Sequence, residues 1–191
     1  MSLIISDQAW TASAQNLGVE VACLQAVASV ESAGTGFLPP PSNEPKVLFE
    51  GHIFHRLTSG RFDATAPDLS YPHWDKSKYA GSLEGEWARL NAAMALDHDA
   101  ALKSASWGTF QLMGFNYPTC GFSTVRDFAE AHRAGADEQL AAFVQFIDRP
   151  PFRDALRTKD WAVFAAAYNG PDYAKNQYDI RLATAYSQHC R

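Results

Sequence analysis

The chain has 191 residues, 47% hydrophobic, 19% charged and 13% aromatic, and a net charge of -5. That length and mix give one domain able to bury its own core, which excludes intrinsic disorder, collagen and coiled coil. The acidic balance without a basic run argues against nucleic acid as a partner, and there is no apolar stretch of about 18 residues to insert in a membrane.

In chain order, Ser6 is placed to cap a helix over residues 7–17 that Gly18 stops, and a second, Ala- and Val-rich helix runs over residues 19–32 with Gly34 ending it. Gly36 and Pro39-Pro40-Pro41 mark a loop, and Val47-Leu48-Phe49 reads as a short strand before a helix through Ile53, Phe54 and Leu57. Residues 58–82, rich in Gly, Pro, Ser, Asp and Tyr, read as a long loop carrying a small hairpin and walling a binding site. Helical spacing returns at Leu83, with Trp87, Leu90 and Met94 on one face, then in a short helix over residues 100–104. Ser106 is read as the cap of a turn through Met113. Thr124 and Asp127 have capping-box spacing, and Leu140, Phe143, Val144 and Ile147 form an apolar stripe broken by Pro150-Pro151. Short helices over 152–157 and 160–168 and a last one over 174–188 complete a mainly α fold, or α+β with a minor hairpin.

Residues 1–45 contain no Lys or Arg, so no secretory signal is expected and the product is expected to be made as a soluble cytoplasmic chain. Cys23, Cys120 and Cys190 are an odd, scattered set without CxxC spacing, which argues against a disulfide framework and a zinc site. His52 and His55 stand three apart with Glu50 nearby, yet HExxH is absent and no third ligand is evident, so neither metal nor cofactor is expected. Cys120 with a distant His132 or His189 lacks the local signature of a thiol nucleophile.

Glu31 carries the chemistry. Its helical neighbours Leu24, Val27 and Ala28 are apolar, and it lies at a helix C-terminus. Desolvation and the helix dipole both disfavour its ionised form, as a general acid requires. The competing reading is a carboxyl turned to solvent or bonded in the core. Gly108 permits close approach of a ligand or a helix, and Gln111 offers amide donors and an acceptor suited to sugar hydroxyls and N-acetyl groups. Tyr168 shares a face with Trp161 and Phe164, and Asn169-Gly170 is a good helix stop.

Glu31-Ser32, Gly108-Thr109-Phe110-Gln111 and Ala167-Tyr168-Asn169-Gly170, in that order, resemble the three signatures of the lysozyme-like superfamily. More specifically, Val30 to Phe37, Leu48-Phe49-Glu50-Gly51-His52, Ser104 to Gly108 and Tyr168-Asn169-Gly170-Pro171 are similar to the N-acetylmuramidase domain of phage endolysins, a resemblance spanning residues 6–188. Thr109-Phe110 departs from the Leu-Met of the wider pattern, and one Ala is missing after Asn169.

The resemblance implies a two-lobed lysozyme-like fold with a glycan groove and one catalytic domain over residues 1–191. It also implies cleavage of the β-1,4 bond between N-acetylmuramic acid and N-acetylglucosamine in peptidoglycan strands, by a monomer that reaches the wall after release from the host cytoplasm. By match, Glu31 is the catalytic acid, and Ser106, Gly108, Gln111, Tyr168 and Asn169 are expected to bind substrate. Glu50, at the end of the strand, is the first candidate for a second carboxylate, with a helix cap or an ion pair to Lys46 or Arg56 as its other reading; Asp75 follows, beside Tyr71 and Trp74, which are suited to stacking on sugars. A lytic transglycosylase that forms 1,6-anhydromuramyl ends, and a non-catalytic glycan-binding or toxin-type module, are the alternatives.

Overall fold

Side-chain caps start five of the ten described α-helices in the structure, a computed structural model that describes residues 2–32 and 35–190. Helix α1 (Asp7–Leu17) starts where the Ser6 hydroxyl accepts from the Ala9 amide and stops at Gly18, whose φ of 66° is the left-handed cap expected. Helix α2 (Val21–Ser32) follows; the expected stop at Gly34 lies outside the described residues. Strand β1 (Val47–Phe49) and α3 (Gly51–Leu57) lead into residues 58–82, and α4 (Leu83–Leu96) and α5 (His98–Lys103) lead out. Strands β2 (Ala105–Trp107) and β3 (Leu112–Met113) precede α6 (Val125–Ala134), α7 (Ala136–Ile147), α8 (Phe152–Thr158), α9 (Trp161–Asn169) and α10 (Tyr178–His189). Thr124 caps α6 by accepting from the Asp127 amide, as its spacing predicts.

The minor hairpin is present but elsewhere than expected. Residues 58–82 carry turns and one 3-10 turn (Lys76–Lys78), with no strand among them. The hairpin is β2–β3, with Ser106 opposite Met113 and Trp107 opposite Leu112; β1 pairs antiparallel with the outer edge of β2. The segment read as a capped turn from Ser106 is therefore two short strands. Gly108 (φ 69°) and Gln111 (φ 48°) adopt the left-handed conformations that close its tip.

The core is aromatic. Fully buried Trp107 sits edge-on between Trp87 and Phe128, and its indole N–H donates to the Leu102 carbonyl at 3.1 Å. Phe110 stacks on Phe143 at 4.0 Å, and Phe164 stacks on Tyr168 at 5.4 Å. Helix α10 lies along α2 and α9, which clamps the C-terminal turn of α2 from behind.

One buried amide fastens the hairpin to the helices. Gln139 on α7 accepts at Oε1 from the Thr109 amide and the Thr109 hydroxyl, both at 2.8 Å, and its Nε2 donates to the His132 carbonyl at 2.9 Å. His132 is itself buried, hydrogen-bonded to the Phe128 carbonyl at 2.8 Å, and burial drops its pKa to about 4, so it is neutral at ordinary pH. Gly108 packs on the Gln139 side chain so closely that a Cβ would meet it at 2.6 Å. Of the two roles open to Gly108, close approach to a helix is the one the structure supports.

Candidate active site

Helix α2 has no basic residue in its last turn, so the negative end of its dipole depends on cations from elsewhere. Two arrive. Arg181 on α10 donates to the Val30 carbonyl at 3.0 Å, and Lys46, just before β1, donates to the Ser32 carbonyl at 2.9 Å. Burial lowers the Lys46 pKa. Between these caps Glu31 is partly buried, and its Oε1 accepts from Nδ2 of Asn169 at 2.9 Å. Burial raises the Glu31 pKa above the usual carboxylate value, against the opposing pull of the Asn169 hydrogen bond and the Arg181 charge.

Glu31 opens into a groove of about 560 Å³ whose lining includes Ser32, Lys46, Leu48, Tyr79, Leu83, Glu86 and Gln111. A second hollow of about 390 Å³ shares Lys46 and Leu83 with it and continues past Phe37 and Pro39, so the depression is elongated. One flank is α2 and the hairpin; the other is the end of the 58–82 segment and α4.

The residues singled out in the sequence take different places. Glu31 and Gln111 line the groove. Ser106 and Asn169 orient them: the Ser106 hydroxyl donates to Oε1 of Gln111 at 2.8 Å, and the Gln111 amide donates back to the Gly108 carbonyl at 2.9 Å. Tyr168 stands behind the floor, its hydroxyl donating to the Phe110 carbonyl at 2.7 Å while its ring is enclosed by Phe143, Phe146, Phe152 and Phe164. Tyr168→Phe leaves that carbonyl without its donor, an expected loss of about 1–2 kcal/mol. Thermal unfolding should fall by a few degrees with kcat within about threefold of wild type, whereas a reacting hydroxyl would lower kcat by about 10² or more.

Glu50 and Asp75 are not in the lining among the described residues. Glu50 precedes α3 without making a side-chain cap bond, and both its oxygens accept from the Tyr79 hydroxyl, at 3.0 and 2.9 Å. Burial raises its pKa, as does nearby Glu86, while the Tyr79 bond and Arg89 lower it. Asp75 accepts from the amide and hydroxyl of Ser77 at 2.9 and 2.7 Å, and those bonds hold its carboxyl below the usual range. It is a local cap. Among the described residues no three His, Cys, Asp or Glu side chains converge as a metal site; His55 instead pairs with Asp63 at 2.8 Å. Burial pushes the Cys120 thiol up to about 12, against a thiolate role, and no described helix is long and apolar enough to cross a membrane.

Sequence reasoning missed Tyr79 and Glu86. Glu86 is 4% exposed; its Oε2 accepts from the Phe49 amide at 3.1 Å and from Arg89 at 2.9 Å, and its Oε1 accepts from the Ala80 amide at 2.6 Å. A signal was available: Glu86 falls three residues after Leu83 and four before Leu90, on the apolar stripe of α4.

A helical body, a small antiparallel sheet and an acid at the foot of an elongated groove make a glycoside hydrolase of the lysozyme type. The chain belongs to the N-acetylmuramidase family, whose profile matches residues 20–190. Among solved structures it is similar to the crystal structure of a Burkholderia AP3 phage endolysin, with 37% identity and a TM-score of 0.87 over 99% of this chain and 73% of that one. No curated protein matches.

Proposed function

We propose that Glu31 is the general acid of a peptidoglycan muramidase, protonating the oxygen that leaves N-acetylmuramic acid as the bond to N-acetylglucosamine breaks. The observation that carries this is the placement of a carboxyl with a burial-raised pKa at the foot of an elongated groove. Such a group is protonated at pH values where an ordinary Glu is not, and an oxocarbenium-like transition state needs that proton. Asn169 serves the acid in both states. Its Nδ2 donates to the carboxylate, and its buried Oδ1, without a partner among the described residues, faces the proton of the neutral acid when the amide turns over. Gln111, fixed by Ser106, offers its free amide hydrogen to an N-acetyl or hydroxyl oxygen.

The water that completes hydrolysis has Glu86 as the second carboxylate in the lining, and its oxygens already accept three hydrogen bonds. Glu50 is joined to the groove lining through the Tyr79 hydroxyl. A single unencumbered acid also suits attack by the muramyl 6-hydroxyl, which keeps the transglycosylase reading alive. Digestion of purified peptidoglycan followed by mass analysis separates the two: reducing muramyl ends are expected, and 1,6-anhydromuramyl ends would overturn hydrolysis. The phage endolysin likeness supports a lysin acting on the host wall, with residues 1–191 as one catalytic domain in this reading.

A further inference from the structure

We propose that Trp74 is a sugar-binding platform on the rim of the groove, taking the C–H face of a hexosamine ring in the glycan strand. The proposal rests on reading the groove as a glycan site. Trp74 is 60% exposed, whereas Trp87 and Trp107 are buried and Trp10 and Trp161 pack partly against the core. An indole left in water gives up the burial that normally stabilises it and keeps its apolar faces open to a ligand.

The ring is held as well as exposed. Its Nε1–H donates to the Tyr79 hydroxyl at 2.8 Å, and that hydroxyl donates in turn to the two oxygens of Glu50. The Trp74 and Tyr79 rings stand edge-on at 71° with centroids 6.4 Å apart, and Tyr79 lines the groove. The polar edge of the indole is thereby turned toward the protein and satisfied, which leaves its apolar faces for a partner. Lys78 pairs with Asp68 at 2.6 Å and Asp75 caps the following turn, so the segment carrying the ring is pinned on both sides of it. A pre-set aromatic face loses little freedom on binding, and a pyranose presents one apolar C–H face to match it. Glu50 then acts through Tyr79 as a positioning residue: its carboxylate fixes the hydroxyl that fixes the indole.

The test compares wild type, Trp74→Ala, Trp74→Phe and Tyr79→Phe on soluble glycan strands of two lengths, a tetrasaccharide and strands of at least eight sugars. Trp74→Ala is expected to raise KM for long strands about three- to tenfold with kcat nearly unchanged, the loss of one ring-on-ring contact. Trp74→Phe should recover most of that, and Tyr79→Phe, which frees the indole, should lie between. Unchanged KM in Trp74→Ala at both lengths would overturn the platform, and so would a lower kcat without a change in KM, the mark of a merely structural loop. Should wild type leave every strand uncut, the muramidase reading falls by itself. The platform is still decided then, since strand affinity measured by titration calorimetry must drop by the same factor in Trp74→Ala.

Discussion

Glu31→Gln is expected to abolish wall cleavage, with kcat lower by about 10³-fold, while the protein stays folded and binds strands as before. Gln keeps the shape and still accepts from Asn169, but it has no proton to give. Its effect on stability has a definite sign. The folded-state pKa of Glu31 lies above its unfolded value because burial penalises the carboxylate. The folded protein therefore holds that proton more tightly than the unfolded chain, and the resulting stability is complete at low pH. It is lost as pH rises from the ordinary carboxylate range through the raised folded pKa. Wild type and Glu31→Gln should thus melt together in acid, and the variant should melt higher at neutral pH. In wild type, kcat/KM should decline over the same alkaline limb as the acid ionises. Equal lysis by the variant would remove Glu31 from the mechanism; equal melting at neutral pH would mean that the carboxyl is not desolvated.

Glu86→Ala carries the largest expected cost to stability. It leaves the largely enclosed Arg89 without its carboxylate and strips acceptors from the Phe49 and Ala80 amides. Breaking one partner of a buried pair costs about 3–5 kcal/mol, which corresponds to a fall in melting temperature on the order of 10 °C for a chain of this size. The doubly substituted Glu86→Ala, Arg89→Ala protein should be less destabilised than the sum of the single variants, since no lone charge is left behind. Thermal unfolding of the three proteins checks this. Were Glu86 instead the activating base, its loss would cut turnover of the folded fraction by about 10² or more with little change in melting.

Elements governed by neighbours in sequence were legible before the structure. The Ser6 and Thr124 caps, the Gly18 stop, β1 and the apolar face of α4 rest on contacts within a few residues, and each is where its signal put it. The hairpin was not legible in place. Both faces of Ala105–Trp107 are buried and β3 has only two residues, so no alternation exists to be read. At the site, the position of Glu31 on an apolar helix face predicted its burial. Its partners could not be read locally, because Asn169 and Arg181 reach it from α9 and α10, and Lys46 reaches the same turn from a loop fourteen residues beyond Ser32. Tyr168 matched a site motif, and in the structure its hydroxyl donates to the Phe110 carbonyl while its ring packs among four phenylalanines.

The Gln139 amide bears on how the enzyme tolerates its surroundings. It joins Thr109 and His132 by uncharged bonds alone, in a place closed to water. The outer bank is tied instead by Asp68 with Lys78 and by Asp63 with His55, pairs that dissolved ions weaken. In brine, the trench keeps its bed after its far bank has slackened.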